Sequence, residues 1–100
     1  MESLALIGFG EAGKTFALAG GWGEAASAFD VKTDDLATRP AMLDDYAEAR
    51  VRPAFGPADA LRNSPAVLSL VTADRSLEAA EAAAPHLAAG ALFFDMNSVA

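Results

Sequence analysis

The chain has 100 residues, enough for one domain with one modest core. Hydrophobic residues make up 53% and charged residues 21%, a globular composition that excludes intrinsic disorder. The net charge of −7 and the scattered basic residues argue against a nucleic-acid or anionic-membrane partner, and the absence of cysteine excludes a disulfide framework and thiolate metal sites.

Residues 3–8 are a continuous apolar run, which predicts a strand buried on both faces. The run stops at a glycine cluster. Residues 11–19 are helix formers, and Gly20-Gly21 ends them. Residues 25–31 predict a second strand, and 32–39 a polar turn. A helix over 40–50 places Met42, Tyr46 and Ala49 on one face, with Pro40 in its first turn. Residues 51–55 are a weak third strand, in which Pro53 fits only at an edge or a bulge. Residues 56–61 read as a loop or one short helical turn. The clearest strand covers 66–71. Thr72 or Asp74 is placed to cap the next helix, which runs to about residue 89 and is kinked or split by Pro85. After Gly90 comes a last strand over 91–95 and a loop over 96–100. Strands separated by helices imply parallel crossovers. The expected fold is α/β, a Rossmann-type doubly wound parallel sheet of strand order 3-2-1-4-5, with residues 1–100 forming one domain.

The cluster Gly8-Phe9-Gly10-Glu11-Ala12-Gly13 fits G-x-G-x-x-G, after a strand and opening a helix, which is the dinucleotide fingerprint. Gly8 permits the tight turn. Gly10 lets a pyrophosphate approach backbone N–H groups at the helix start, and Gly13 lets the helix pack closely on the strand. The same segment extended through Lys14-Thr15 also fits G-x-x-x-x-G-K-[ST], the phosphate loop of nucleotide hydrolases, with 91–95 as an apolar strand ending in an acid. Two features favour the dinucleotide. A phosphate-loop helix would start near Gly13-Lys14 and be cut after about two turns by Gly20-Gly21. Asp30 also stands at the end of the second strand, about 20 residues on, where the fingerprint needs an acid for the adenosine ribose. The plain alternative is a glycine-rich turn with no ligand. A carboxylate at Asp30 favours NAD, and Lys32 close by leaves NADP possible.

Four stretches, LIGFGEAG, FDVKTDD, VLSLVTAD and FFDMNSVA, occur in the order seen in the β-hydroxyacid dehydrogenases. The chain resembles the N-terminal cofactor domain of that family, which includes 3-hydroxyisobutyrate and 6-phosphogluconate dehydrogenases. The resemblance implies an NAD(P)-dependent oxidoreductase that moves a hydride between the nicotinamide and a small β-hydroxy acid or related substrate. It places Val71, Thr72 and Ala73 against the nicotinamide side. Asp95-Met96-Asn97-Ser98 matches the family's substrate motif, with Asn97 where the family usually has Ser. Asn97 and Ser98 are thereby implied to touch the substrate carboxylate or the nicotinamide ribose, and Asp95 to be structural. In the family, a Lys from a helical C-terminal domain moves the proton, and that domain forms a homodimer. The expected Lys lies beyond Ala100, so no catalytic residue is expected in this chain, and alone it is expected to be inactive.

Two further readings stand beside the enzyme: a dinucleotide-binding module without catalysis and, more distantly, a phosphate-loop NTPase. His86, the one histidine, reads as structural or exposed, and Trp22 as a packing anchor. The acidic group Asp34, Asp35, Asp44, Asp45 and Glu48 reads as a solvated face with no metal-site spacing. The start of the chain lacks the basic residues and apolar length of a signal peptide, and no apolar run approaches membrane-spanning length. The lack of cysteine fits a reducing compartment, so a cytoplasmic location is expected.

Overall fold

In a computed structural model the described residues are 3–22, 25–62, 64–71, 75–87 and 90–96, with backbone alone at Glu11 and Asp95. Five parallel strands form one sheet in the order β3-β2-β1-β4-β5, the doubly wound Rossmann-type arrangement expected from the sequence. The central strand β1 (Leu4–Ile7) is buried at every position, because both of its faces are covered. Leu4 and Leu6 point to one side, where they meet Phe9, Met42 and Tyr46. Ala5 and Ile7 point to the other, where they meet Phe29, Leu61, Val67 and Ala83.

Helix α1 (Glu11–Gly20) follows β1 after three loop residues. It ends where Gly21 takes the left-handed conformation at φ 63° and the Gly21 and Trp22 N–H groups turn back to Leu18 and Ala17 carbonyls. Trp22 stacks on Phe16 with ring centroids 6.4 Å apart and packs against the core, so it is the anchor its position suggested. Strand β2 (Ala26–Phe29) is shorter than the predicted 25–31. Its end is set by Asp30, whose carboxylate accepts the Lys32 N–H and starts a 3₁₀ turn at Val31–Thr33. Helix α2 (Arg39–Ala49) buries Met42, Tyr46 and Ala49, as the spacing required.

The weak third strand contracts to β3 (Arg52–Pro53). It is an edge strand, where Pro53 is tolerated. Helix α3 (Pro57–Leu61) is the short turn expected there. Strand β4 (Ala66–Ser69) and helix α4 (Ser76–Ala83) follow. Arg75 stands at the N-cap of α4 with no cap hydrogen bond from its side chain, whereas the sequence predicts the cap at Thr72 or Asp74. Those two residues lie outside the described ones. Pro85 splits the predicted helix, leaving a separate 3₁₀ turn at Ala84–His86. Strand β5 (Leu92–Asp95) closes the second edge, with Leu92 and Phe94 exposed on one face. Among the described residues no helix is long and apolar enough to cross a membrane.

Candidate functional site

The carboxyl ends of β1, β2 and β4 open into a cleft of about 540 Å³. It lies where the chain crosses from one half of the sheet to the other, between β1 and β4. Open α/β sheets bind ligands at this position, and the volume suits a small-molecule site. Gly8, Gly10, Asp30, Lys32 and Val71 line it together, so five of the residues singled out in the sequence converge.

The glycine loop has three different physical needs. Gly8 has φ +89°, and a Cβ there would lie 2.9 Å from Val71 Cγ1 and 3.0 Å from the Val71 nitrogen. Gly13 sits inside α1, where a Cβ would come within 3.0 Å of the Gly8 carbonyl oxygen. Gly10 is the opposite case, since a Cβ there would meet nothing within 4 Å. Its side-chain space is open, and it faces the cleft. Gly10 is also the N-cap of α1, with no side chain capping the helix. The Lys14 N–H to Gly10 carbonyl bond is the first helical bond, so the earlier N–H groups have no intrahelical partner. They carry the partial positive end of the helix dipole toward the cleft.

Asp30 is held from three sides. Its Oδ2 accepts the Phe9 N–H at 2.9 Å and its Oδ1 accepts the Lys32 N–H at 2.9 Å. Its own N–H donates to the Tyr46 hydroxyl at 3.1 Å. An ionised carboxylate has about four acceptor positions, so both oxygens can still accept hydroxyl donors. Tyr46 is buried on α2, its hydroxyl 2.8 Å from Thr33 Oγ1 and its ring 5.0 Å from that of Phe9. Burial is the main cause that raises its pKa, so the phenol stays neutral at physiological pH.

The remaining predicted residues separate. The Phe9 ring is buried in the core and its N–H is given to Asp30, so its contribution is to fix that acid. Ala12 is exposed in the first turn of α1. The Glu11 side chain, Thr72, Ala73, Asn97 and Ser98 lie outside the described residues. Arg75 was missed. It lines the same cleft, beside Gly8, Glu78 and Ala79. Neither its guanidinium nor the Lys32 ammonium has a partner among the described residues. The available signal was a lone arginine just past the clearest strand, in an acidic chain.

One expectation is corrected. Asp45 and Glu48 are not simply a solvated face, because Lys14 Nζ bridges them at 3.2 and 2.8 Å. The hydrogen bonds to Glu48 and Asp45 raise the Lys14 pKa. This draws Lys14 toward α2, where a phosphate-loop lysine would instead reach its phosphates, and α1 begins at Glu11, ahead of Gly13. Lys14→Ala should therefore leave dinucleotide affinity almost unchanged by titration calorimetry. Tight Mg-ATP binding that disappears with Lys14 would contradict this. His86 is exposed in the 3₁₀ turn after α4 and does not line the cleft.

No protein-family model and no curated protein matches the chain. Among solved structures it is similar to the conserved hypothetical protein from Sinorhizobium meliloti 1021, at 38% identity and a TM-score of 0.86 over 99% of this chain. The match covers 33% of that protein, so the chain spans about one third of the length of its structural relative.

Proposed function

We propose that the cleft binds a nicotinamide dinucleotide, NAD in preference to NADP, and that the chain is the cofactor-binding part of an oxidoreductase of the β-hydroxyacid dehydrogenase type. One juxtaposition carries this reading. The open side-chain space of Gly10, at an uncapped helix start, stands beside a carboxylate fixed to the same loop through the Phe9 N–H. The first suits a pyrophosphate, and the second suits the two ribose hydroxyls at its adenosine end. A 2′-phosphate would meet the negative charge of Asp30. Arg75 adds a cation to the cleft wall, where it can balance the pyrophosphate.

When bound, the cofactor supplies the hydride chemistry. The residues of this chain bind and orient it: α1 through its N–H groups, Asp30 through the ribose, and Val71 as an apolar wall at the end of β4. A small β-hydroxy acid as substrate rests on the resemblance in the Asp95 to Ser98 stretch. A proton-moving Lys belongs, on the same resemblance, to sequence outside these residues.

The test is Asp30→Ala. Losing two hydrogen bonds to a charged acceptor removes about 1.5–3 kcal/mol, so NAD should weaken about tenfold to a hundredfold. NADP should weaken less, narrowing the gap between the two. Equal NAD affinity before and after would show that the acid takes no part in binding.

A further inference from the structure

We propose that Tyr46, a residue of α2 that does not line the cleft, positions Asp30 and so sets the preference for a free 2′-hydroxyl over a 2′-phosphate. The inference rests on the dinucleotide reading above and names the residue that tunes the same site.

The geometry is a closed triangle. The Tyr46 ring packs on Phe9 with centroids 5.0 Å apart and planes at 48°. The Phe9 N–H reaches Asp30 Oδ2 at 2.9 Å. The Asp30 N–H returns to the Tyr46 hydroxyl at 3.1 Å. A single side chain therefore touches the glycine loop through its ring and the ribose-facing acid through its oxygen. The same hydroxyl is bonded to Thr33 Oγ1 at 2.8 Å. That bond ties the hydroxyl to the 3₁₀ turn that follows Asp30. The 3₁₀ turn is tied to α2 a second time, by Arg39 Nε to the Thr33 carbonyl at 2.7 Å.

A phenylalanine would fill the core equally well. What the hydroxyl adds is an acceptor for the Asp30 N–H, just past the end of strand β2. The carboxylate is then presented in one orientation, and a misdirected carboxylate both binds ribose less well and repels a 2′-phosphate less effectively.

Tyr46→Phe separates the two roles, since it keeps the ring and removes the oxygen. By calorimetry NAD affinity should fall about tenfold, the scale of one ribose hydrogen bond to a charged acceptor lost by the misdirected carboxylate. NADP should fall less, so the NAD-to-NADP ratio narrows. Amide hydrogen exchange at Phe9 and Lys32 should accelerate by more than at other core amides, while the melting temperature falls only by the several degrees that one unpaired donor costs. An unchanged ratio, or both cofactors weakened in proportion, overturns the selectivity role. Unchanged exchange at Phe9 and Lys32 overturns the positioning itself, whatever ligand the cleft takes. Parent protein that binds neither dinucleotide overturns the dinucleotide reading before any variant is made, and the exchange measurement then decides the Tyr46 clamp on its own.

Discussion

Gly10→Val should lose about a hundredfold or more in NAD affinity, the loss of roughly two charge-assisted bonds to the pyrophosphate, and still fold. The two halves of that result have separate causes. Gly10 has an extended backbone, φ −84° and ψ −156°, which any residue adopts. A Cβ placed on it touches no atom within 4 Å, so no part of the protein has to move. The stability cost is confined to replacing a good helix N-cap by a poor one, about 1 kcal/mol. The methyls of valine, however, fill the space in front of the α1 N–H groups. Isothermal titration with NAD beside a thermal melt reads both halves. A variant that melts normally and binds NAD normally would remove the glycine loop from the site.

Gly8→Ala, two residues away, should do the reverse and damage the fold itself. Its φ of +89° is costly for any residue with a Cβ, and that Cβ would lie 2.9 Å from Val71 Cγ1 and 3.0 Å from Val71 backbone. Backbone cannot step aside as a flexible side chain can. Conformational strain and overpacking of about 1–3 kcal/mol each are a large share of a stability of about 5–15 kcal/mol. Since 1 kcal/mol moves the melting temperature of a domain this size by about 4–8 °C, a drop on the order of 10 °C or more is expected by calorimetric scan. A normal melt would mean that the crossing of β1 and β4 is looser than the packing at Gly8 implies. The pair of variants therefore separates ligand space from packing space inside one six-residue motif.

Both glycines were legible because the motif is local: strand, turn and helix start lie within ten residues, and each position has one steric reason. Asp30 was legible because it follows a run of apolar residues whose end is visible in the sequence. What could not be read depends on contacts between distant elements. The partners of Lys14 are 31 and 34 residues away on α2, and only the packing of α1 against α2 brings them together. Tyr46 was placed on the buried face by its spacing, but nothing in that spacing says where its hydroxyl goes. Arg75 enters the cleft because the start of α4 lies beside the same sheet end as Gly8 and Val71, a tertiary fact. Strand lengths were overestimated at β2 and β3, where Asp30 and Pro53 restrict the ladder by local hydrogen bonding and a missing donor. The nicotinamide side, carried by Thr72, Ala73, Asn97 and Ser98, stands on resemblance alone.

The burial of Phe9 between two glycines has a consequence for binding energetics. The ring has no exposed surface, and its backbone N–H is already engaged. The loop therefore acquires its shape when the core forms, and the N–H groups at the start of α1 are aimed before any ligand arrives. Little chain entropy is left to be lost on association, so more of each contact survives as affinity. The coupling also runs backwards: a ligand that needs the folded loop holds the core shut by mass action. Unfolding the interior and emptying the cleft become a single thermodynamic event, joined through one phenylalanine.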